Sequence, residues 1–542
     1  MPRRRTLADW LLPLAPAGLA ATHVAGLLFF LNPELRFAVT PLLRAAGYYA
    51  LLFAPPSLVL HLALARWRGV AVARIVPWSL TFVAALAALG DGVHASAYSY
   101  LLPEPINVQL IKSGLWLALA AIMIFYTALL HALDRRPYGP RSRWFVALVA
   151  LGSVWAMFER RTSYRATVIP TQPIRIASDA PPPRLVVVAL PTATLDAVLP
   201  LSRQGKLPFL ATMIDRGASA RLAAPTPPRR AALDATWATG KMPYRHAVVD
   251  AWRWRAPLFG RGARLALLPI APGFATWGLA GGEAEPLAVA DLRALPVWQI
   301  LRLGGQPSST LGFPAWLAAE PAASAAARTD SPAVRELVAS GYKRVSDALA
   351  ADLATLAAAR ERAATAPGGS SLFVAVDGFA TAALETYGGF DAASFEGRRS
   401  AATQLAARVY ERYLAAVDFE LERLWETLEP PRLLIVSSAY GIAAPRGLAR
   451  LGRSVFSGDR DLGGTLAGAP DGLLLMQGDG VRSGVHVAGG RIVDVVPTVL
   501  YACGYPLARD FDGRVLAEAF EPAVLQRRAL SFVPSFEGLR LR

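Results

Sequence analysis

The sequence has little cysteine, histidine or charge. Cys503 is the only cysteine among 542 residues, which excludes an internal disulfide framework. Of the six histidines, two follow Phe158, His246 and His486, so the C-terminal part can supply few imidazole ligands to a metal centre. Only 18% of the residues are charged and 54% are hydrophobic, which excludes an ordinary soluble protein.

Long apolar segments account for this shortage of charge, and they lie before Arg160. Five of them run over residues 11–31, 45–64, 75–89, 111–130 and 144–158. A helix that crosses a membrane needs about 20 apolar residues, so the first, second and fourth segments are long enough and the other two are short. We therefore predict a membrane domain over residues 1–160 with about five helices, four or six being the alternatives.

Arginines in the short loops predict the orientation of this domain. The N-terminus and the second and fourth loops carry them in groups, namely Arg3, Arg4 and Arg5, then Arg66, Arg68 and Arg74, then Arg135, Arg136, Arg141 and Arg143. Basic loops stay in the cytoplasm, so an odd number of helices places the chain after Phe158 outside it. The prediction is a multi-pass cytoplasmic (inner) membrane protein, whose C-terminal domain is periplasmic in a cell with two membranes.

The net charge of +16 is assigned largely to the same arginines. A basic chain can bind nucleic acid, but arginines that flank membrane helices face anionic lipid headgroups. The expected partners are therefore membrane lipids and proteins of the cell envelope, and no nucleic acid.

The rest of the chain alternates strand-like and helix-like segments after a linker at 161–183. Apolar runs at 185–190, 372–376, 433–437 and 473–477 predict buried strands, and alanine-rich stretches at 331–366 and 394–428 predict long helices. This alternation predicts an α/β domain over residues 184–522, built on a parallel sheet covered on both faces. Residues 252–327 are expected to form an insertion or cap, and 523–542 a C-terminal tail.

Several motifs occur in an order that resembles the alkaline phosphatase superfamily, most closely its type I phosphodiesterase and nucleotide pyrophosphatase branch. They are "GKLPFL" at 205–210, "IDRGA" at 214–218, "TGKMPYRH" at 239–246, "VSSAYG" at 436–441, "RIVDVVPTVLYACG" at 491–504 and "DGRVL" at 512–516. The resemblance implies an alkaline-phosphatase-like fold, with a mixed, mostly parallel sheet and helices on both faces. It also implies the chemistry of a phosphoric-ester hydrolase or phosphotransferase.

Enzymes of this superfamily hold two divalent metals, usually zinc, with three Asp and three His. The resemblance assigns five of these ligands to positions where the metal-binding side chain is lost, Tyr440 being a weak substitute at one of them. These degenerate ligand positions are Pro191, Ala380, Leu384, Ala439 and Tyr440. The remaining candidates for a metal ligand are His486 and Asp377, with a structural histidine and a turn or helix cap as the alternatives.

The position of the nucleophile is ambiguous. Counting back from the "TGK" segment puts the superfamily's threonine on Arg230, whereas the local match to "TPP" puts it on Thr226. Thr226 is thus either a catalytic hydroxyl or a helix N-cap. Arg229 and Arg230 are candidate phosphate-binding residues, because guanidinium groups pair with phosphate oxygens.

Three hypotheses follow for the function, of which the weakest is a transporter-associated subunit that acts through its membrane helices. The first is a membrane-anchored pseudoenzyme that has lost the two-metal site, binds no cofactor and acts as a binding or partner module in envelope processes. The second is an active phosphodiesterase or phosphotransferase for phosphorylated lipids or nucleotide-type substrates, with zinc or another divalent metal held where Thr226, Asp377 and His486 converge. The membrane layout resembles that of phosphoethanolamine transferases and lipoteichoic acid synthases, but architecture alone does not establish a reaction.

Overall fold

The computed structural model describes residues 7–35, 38–158, 182–271, 273–318, 329–391, 400–446 and 462–537. The chain divides into two compact units. The first contains Met1–Thr167 and Val249–Leu287, and the second contains Val168–Val248 and Ala288–Arg542. The predicted linker at 161–183 lies outside the described residues except for Pro182 and Pro183.

The helices, in chain order, are α1 (Leu7–Leu11), α2 (Leu14–Leu31), α3 (Val39–Arg68), α4 (Val72–Ala97), α5 (Glu104–Leu133), α6 (Pro140–Phe158), α7 (Leu195–Arg203), α8 (Pro208–Arg216), α9 (Arg230–Thr239), α10 (Pro243–His246), α11 (Phe274–Trp277), α12 (Val297–Leu303), α13 (Ala315–Ala318), α14 (Pro332–Ala339), α15 (Lys343–Thr365), α16 (Gly378–Phe390), α17 (Ala401–Thr427), α18 (Val495–Ala502) and α19 (Pro522–Arg527). The strands are β1 (Arg184–Ala189), β2 (Ala218–Ala223), β3 (Trp252–Arg255), β4 (Arg264–Leu265), β5 (Glu283–Pro286), β6 (Ser308–Leu311), β7 (Ser371–Ala375), β8 (Arg432–Ser437), β9 (Gly472–Gly478), β10 (Val485–Arg491), β11 (Leu507–Ala508) and β12 (Phe532–Val533).

Apolar helices form the N-terminal part of the first unit, which confirms the predicted helical region. Within the described ranges, four helices, α2 to α5, are long and apolar enough to cross a membrane. The fifth predicted segment is present as α6, but this helix of 19 residues begins with Pro140-Arg-Ser-Arg143 and has a shorter apolar part. The four candidate membrane helices thus agree with a membrane-anchored protein.

Residues Val249–Leu287 form a compact unit with these helices. They contain α11 and a small antiparallel sheet in the order β4-β3-β5. Asn32, which follows α2, connects the two parts: its Oδ1 accepts the N–H groups of Ala266 and Leu267 at 2.6 and 3.0 Å, and its Nδ2 donates to the carbonyl of Leu267 at 2.8 Å. The hydroxyl of Tyr98 donates to the carbonyl of Leu268 at 2.8 Å. The described residues from Ala288 onward belong to the second unit, and an insertion or cap at 252–327 stays a prediction.

The second unit is built on a seven-stranded sheet in the order β10-β2-β9-β8-β1-β7-β6. The pairs β8 with β1, β1 with β7, β7 with β6 and β10 with β2 are parallel, and β9 is antiparallel to both of its neighbours. The sheet is thus mixed and mostly parallel, which confirms the predicted fold class.

Both faces of the sheet are covered, which explains why the central strands consist of continuous apolar runs. On one face, alternate residues such as Val186, Val374 and Val436 share a core with helices α15 and α17. On the other face, Phe373 of β7 lies 5.4 Å from the ring of Trp298 on α12. The predicted C-terminal tail contains β12, which pairs with β11 in parallel.

Candidate functional site

Three neighbouring parallel strands end at the same level of the sheet. Ala189 of β1 is in register with Ala375 of β7 and with Ser437 of β8. The turns that follow carry Pro191, Asp377 and Tyr440. Ligands of open α/β sheets bind outside the carboxyl ends of the strands, so this edge is the candidate site.

Helix α9 brings an arginine to this edge. Arg230 is the first residue of the helix, and its guanidinium forms an ion pair with Asp377. Its Nε also lies 3.8 Å from Oδ2 of Asp234, one turn further along α9. The side chains of Arg230 and Asp377 are 43% and 50% exposed, and that of Asp234 is 25% exposed. The guanidinium of Arg230 therefore lies within ion-pair distance of two carboxylates, those of Asp377 and Asp234, at the mouth of the site.

Burial controls the charge of these groups. It raises the pKa of Asp234 to about 7, with Arg230 opposing the rise and Asp377 adding to it. Burial alone would lower the pKa of Arg230, but Asp377, Tyr440 and Asp234 raise it above its ordinary value. Arg230 is thus a permanent cation, whereas Asp234 titrates near neutrality.

Tyr440 lies beneath these groups as a neutral phenol. The residue is 1% exposed, and its hydroxyl has no hydrogen-bond partner among the described residues. Burial first, and then the negative charge of Asp234, raise the pKa of Tyr440 well above its ordinary range. A phenol held in its protonated form can donate a hydrogen bond but is a poor metal ligand.

The turn after β1 is held in an unusual conformation. Thr192 has a φ of 71°, in the left-handed region that β-branched residues rarely adopt. Its N–H donates to the carbonyl of Tyr440 at 3.1 Å, and its own hydroxyl is buried without a partner in the described part of the chain. Two unpaired hydroxyls, on Thr192 and Tyr440, therefore lie on adjoining turns, and backbone strain of this kind is common at functional sites.

Asp377 is held in place by the residues behind it. The N–H of Gly378 donates to Oδ1 of Asp352 at 3.0 Å, and the hydroxyl of Tyr413 donates to Oδ2 of Asp352 at 2.6 Å. A Cβ at position 378 would lie 2.6 Å from the Tyr413 hydroxyl, so only glycine fits there. Asp377 is the N-cap residue of α16, but its side chain makes no capping hydrogen bond and pairs with Arg230 instead.

The structure separates Thr226 from the start of the helix. Thr226 lies in an exposed bend, α9 begins at Arg230, and Arg229 is the N-cap residue. The alternative that Thr226 caps this helix is therefore wrong. Its role as a nucleophile and the phosphate-binding roles of Arg229 and Arg230 stay predictions.

His486 lies far from the candidate site. It is the second residue of β10, an edge strand, and its Nδ1 is 3.2 Å from the hydroxyl of Ser219. Five strand spacings of about 4.8 Å separate β10 from β7, so His486 and Asp377 are more than about 20 Å apart. These two residues cannot hold one ion, and the convergence of Thr226, Asp377 and His486 is not present.

The degenerate ligand positions fall into two groups. Pro191, Ala439 and Tyr440 lie on the adjoining turns after β1 and β8. Ala380 and Leu384 lie further along α16, where Ala380 is buried and the carbonyl of Leu384 accepts the N–H of Gly464. Tyr440 of the first group interacts electrostatically with Arg230 and Asp377, and in the second group the N–H of Ala380 donates to the carbonyl of Asp377 at 3.3 Å.

The residues at this edge do not fit a two-metal centre. Across the described ranges, no three His, Cys, Asp or Glu side chains are close enough to hold an ion together. The carboxylate of Asp377 is paired with a guanidinium, and Asp234 shares that same cation. Zinc needs several anionic or imidazole ligands that converge on one point. The carboxylates at this edge are paired with a guanidinium instead, and His486 lies too far from them.

The "TGKMPYRH" segment has a structural role. Lys241 is 3% exposed at its side chain and pairs with Asp510 and Glu537, each at 2.7 Å. Nδ1 of His246 accepts the N–H of Val248, so its Nε2–H donates to the hydroxyl of Thr236 at 3.0 Å. This segment therefore links α9 to the C-terminal residues and leaves its lysine and histidine outside the candidate site.

Sequence reasoning missed Asp234 and Thr192. Asp234 lies within α9, in no motif of the resemblance, and only the fold brings it to Arg230. Thr192 could have been noticed as the polar residue that follows the strand end, next to a proline that replaces a ligand.

No protein-family model matches the chain, and no curated protein sequence does. Among solved structures, it is similar to a phosphonate monoester hydrolase from Silicibacter pomeroyi, with a TM-score of 0.37, 14% identity and coverage of 62% of this chain and 76% of that one. It is also similar to the alkaline phosphatase PafA, with a TM-score of 0.41, 11% identity and coverage of 64% and 100%.

A third similar structure is the murine ectonucleotide pyrophosphatase/phosphodiesterase 5, with a TM-score of 0.36, 11% identity and coverage of 60% of this chain and 95% of that one. A 2-O sulfatase is also among them. Likenesses at this level establish no reaction, metal or substrate for the chain. These four solved structures are proteins of the alkaline phosphatase superfamily, the superfamily that the sequence resembles.

Proposed function

We propose that this chain is a membrane-anchored, extracytoplasmic pseudoenzyme of the alkaline phosphatase superfamily. Its α/β unit serves as a binding or partner module in processes of the cell envelope and does not carry out two-metal chemistry. The ligand class that its site favours is an anionic group such as a phosphate, because Arg229 and Arg230 lie at the mouth.

The ion pair of Arg230 with Asp377 is the single observation that supports this proposal best. Two-metal phosphoryl transfer depends on fixed positive charge at the carboxyl ends of the strands. Here the positive charge belongs to Arg230 in the first turn of α9. Counting back from the "TGK" segment assigns the nucleophile to this same position. A guanidinium can neither attack phosphorus nor activate a water molecule as a metal does. The site can therefore still bind an anion, but it cannot catalyse phosphoryl transfer.

The arrangement of the first unit supports an extracytoplasmic location. The basic residues Arg66 and Arg143 lie at the C-terminal end of α3 and the N-terminal end of α6. At the opposite ends of the helices, Asn32 and Tyr98 hold residues 266–268. Residues Val249–Leu287 continue directly into the second unit at both of their ends. Because basic ends stay in the cytoplasm, this segment and the chain that continues from it belong outside.

Turnover by the full chain in detergent tests the loss of catalysis. The substrates are nitrophenyl phosphate, a bis-nitrophenyl phosphodiester and nitrophenyl sulfate, each with added zinc or manganese. We expect no hydrolysis above that of a matched Asp377→Asn variant. Turnover that disappears in this variant, or in Thr226→Ala, would instead establish an active hydrolase or transferase.

Labelling of single cysteines tests the location. Cys503 is buried, and a Cys503→Ser background removes it. In intact cells, a membrane-impermeant maleimide should label Thr276→Cys, which is exposed in the segment held by Asn32, and should not label Arg136→Cys at the basic end. Labelling of Arg136→Cys alone would place the α/β unit in the cytoplasm and contradict the proposal.

A further inference from the structure

A large cavity lies within the first unit, between α2, α3, α4 and α6. Its volume is about 1200 Å³. Sites for small ligands usually measure roughly 300 to 1,000 Å³, so this cavity is larger than most. The cavity is partly open to its surroundings, so a molecule can enter it from outside the unit.

The walls of the cavity are mostly aliphatic. They include Leu19 of α2, Leu62 of α3, Val76 and Leu80 of α4, and Val146 and Val154 of α6. Water does not fill an apolar space of this kind, because each molecule needs polar partners. The occupant of this part of the cavity must therefore be hydrocarbon.

The depth of the cavity corresponds to one leaflet of a membrane. Its lining runs from Arg143 to Val154 on α6, which is about 16 Å of helix, and from Leu14 to Thr22 on α2, which is about 12 Å. The hydrocarbon core of a bilayer is about 30 Å thick. The lining residues thus lie toward one end of α2, α3 and α4 and extend over about half the thickness of that core.

Two arginines line the cavity near these helix ends. Arg66 is in the last turn of α3 and Arg143 is near the start of α6; both line the cavity and are exposed. Neither guanidinium has an ion-pair or hydrogen-bond partner within the described part of the chain. Two unpaired cations above an apolar space are complementary to a molecule with a negative head and hydrocarbon tails.

We propose that this cavity binds one lipid with an anionic, phosphate-bearing headgroup, taken from the leaflet at the basic ends of the helices. The acyl chains occupy the aliphatic part, and Arg66 and Arg143 pair with the phosphate. The site lies in the membrane helices and is separate from the site at the edge of the sheet. It therefore does not depend on the proposed loss of catalysis.

Lipid retention tests this inference. The full chain is placed in nanodiscs with equal amounts of phosphatidylglycerol and phosphatidylcholine, released into detergent, and measured by native mass spectrometry. We expect one phosphatidylglycerol to be retained in preference to phosphatidylcholine. In Arg66→Gln/Arg143→Gln this retention should fall about tenfold or more, because each arginine near anionic lipid contributes on the order of 1 kcal/mol.

Two further variants control the experiment. Arg68→Gln/Arg141→Gln removes the same charge from the same helix ends, but these residues do not line the cavity, so retention should be unchanged. Gly18→Leu adds a side chain where a Cβ meets no atom within 4 Å, and should exclude lipid of either kind. Equal retention of both lipids, equal loss in both double variants, or a second copy of the chain retained in place of lipid would overturn the proposal.

Discussion

Arg230 and Asp377 form an ion pair across the carboxyl edge of the sheet, one at the start of α9 and the other directly after β7. The pair joins two segments that are 147 residues apart in the chain, and Asp234 adds a second carboxylate on the same side. Any anion that binds at this edge must therefore compete with Asp377 for the guanidinium.

Replacement of Asp377 should expose this competition. The pair is half exposed, so Asp377→Asn should change the free energy of unfolding by less than about 1 kcal/mol. The freed Arg230 should then bind inorganic phosphate or sulfate about fivefold more tightly, the factor that corresponds to roughly 1 kcal/mol. Isothermal titration measures this change. In Arg230→Gln the anion should not bind, and equal affinity in the Asp377→Asn variant and the wild type would show that Arg230 does not bind the anion.

The second unit should lose stability as the pH rises toward neutrality. Burial raises the pKa of Asp352 from 3.8 to about 7 in the folded state. Between these values the folded state holds more protons than the unfolded state, so the stabilisation is complete below about pH 4 and is lost as the pH rises through 7. Burial also raises the pKa of Asp234 to about 7 and that of Asp418 to about 6, which acts in the same direction.

Hydrogen exchange of peptides from α15 and β7, compared at pH 5 and pH 8, measures this dependence after correction for intrinsic exchange rates. Asp352→Asn keeps the acceptor for the N–H of Gly378 and removes the titration, so its protection should vary less with pH. A wild type that becomes more protected from pH 5 to pH 8 would contradict the expected loss of stability.

Lys241 should be essential for the C-terminal part of the second unit. It is buried between Asp510 and Glu537, so Lys241→Met leaves uncompensated negative charge and should destabilise this unit by about 3 to 5 kcal/mol. Urea unfolding of the full chain in detergent measures the change. The matched control is Arg514→Met, whose pair with Glu518 is about half exposed and should contribute at most about 1 kcal/mol. Equal losses in the two variants would rule out a special role for the buried lysine.

Asn32 should hold residues 266–267 against the membrane helices. Asn32→Leu removes hydrogen bonds to the N–H and carbonyl groups of Leu267 and leaves the N–H of Ala266 unpaired. Each buried group left without a partner costs about 1 to 3 kcal/mol, so hydrogen exchange at these residues should become much faster. Asn107→Leu is the control, because Oδ1 of Asn107 has no partner in the described structure. Unchanged protection in Asn32→Leu would contradict this role.

The strands could be predicted where local sequence determines them. The apolar runs at 185–190, 372–376 and 433–437 correspond within about a residue to β1, β7 and β8, because strands buried on both faces are continuously apolar. The predicted helix at 331–366 is interrupted at Gly341, whose φ of 83° ends α14 before α15 begins. Strands β2 and β10 contain Arg, Gly or His and lie at one side of the sheet, so their composition does not predict a strand.

The candidate site could be predicted only in part. The motifs located the turns with Pro191, Ala439 and Tyr440, because each turn follows a predicted strand. They could not show that Arg230 reaches Asp377 or that His486 lies on the edge strand, because both depend on the order of strands in the sheet. The division at Val249–Leu287 was not predictable either, since it depends on side-chain hydrogen bonds between residues more than 160 positions apart.

Metal content of the purified full chain tests the central claim most directly. The protein is incubated with excess zinc or manganese, freed of unbound ions and analysed by inductively coupled plasma mass spectrometry, beside Asp377→Asn and Arg230→Ala. We expect far less than one equivalent of metal in the wild type, because a guanidinium already neutralises the carboxylates at this edge. One or two equivalents in the wild type that disappear in Asp377→Asn would contradict the loss of the two-metal site.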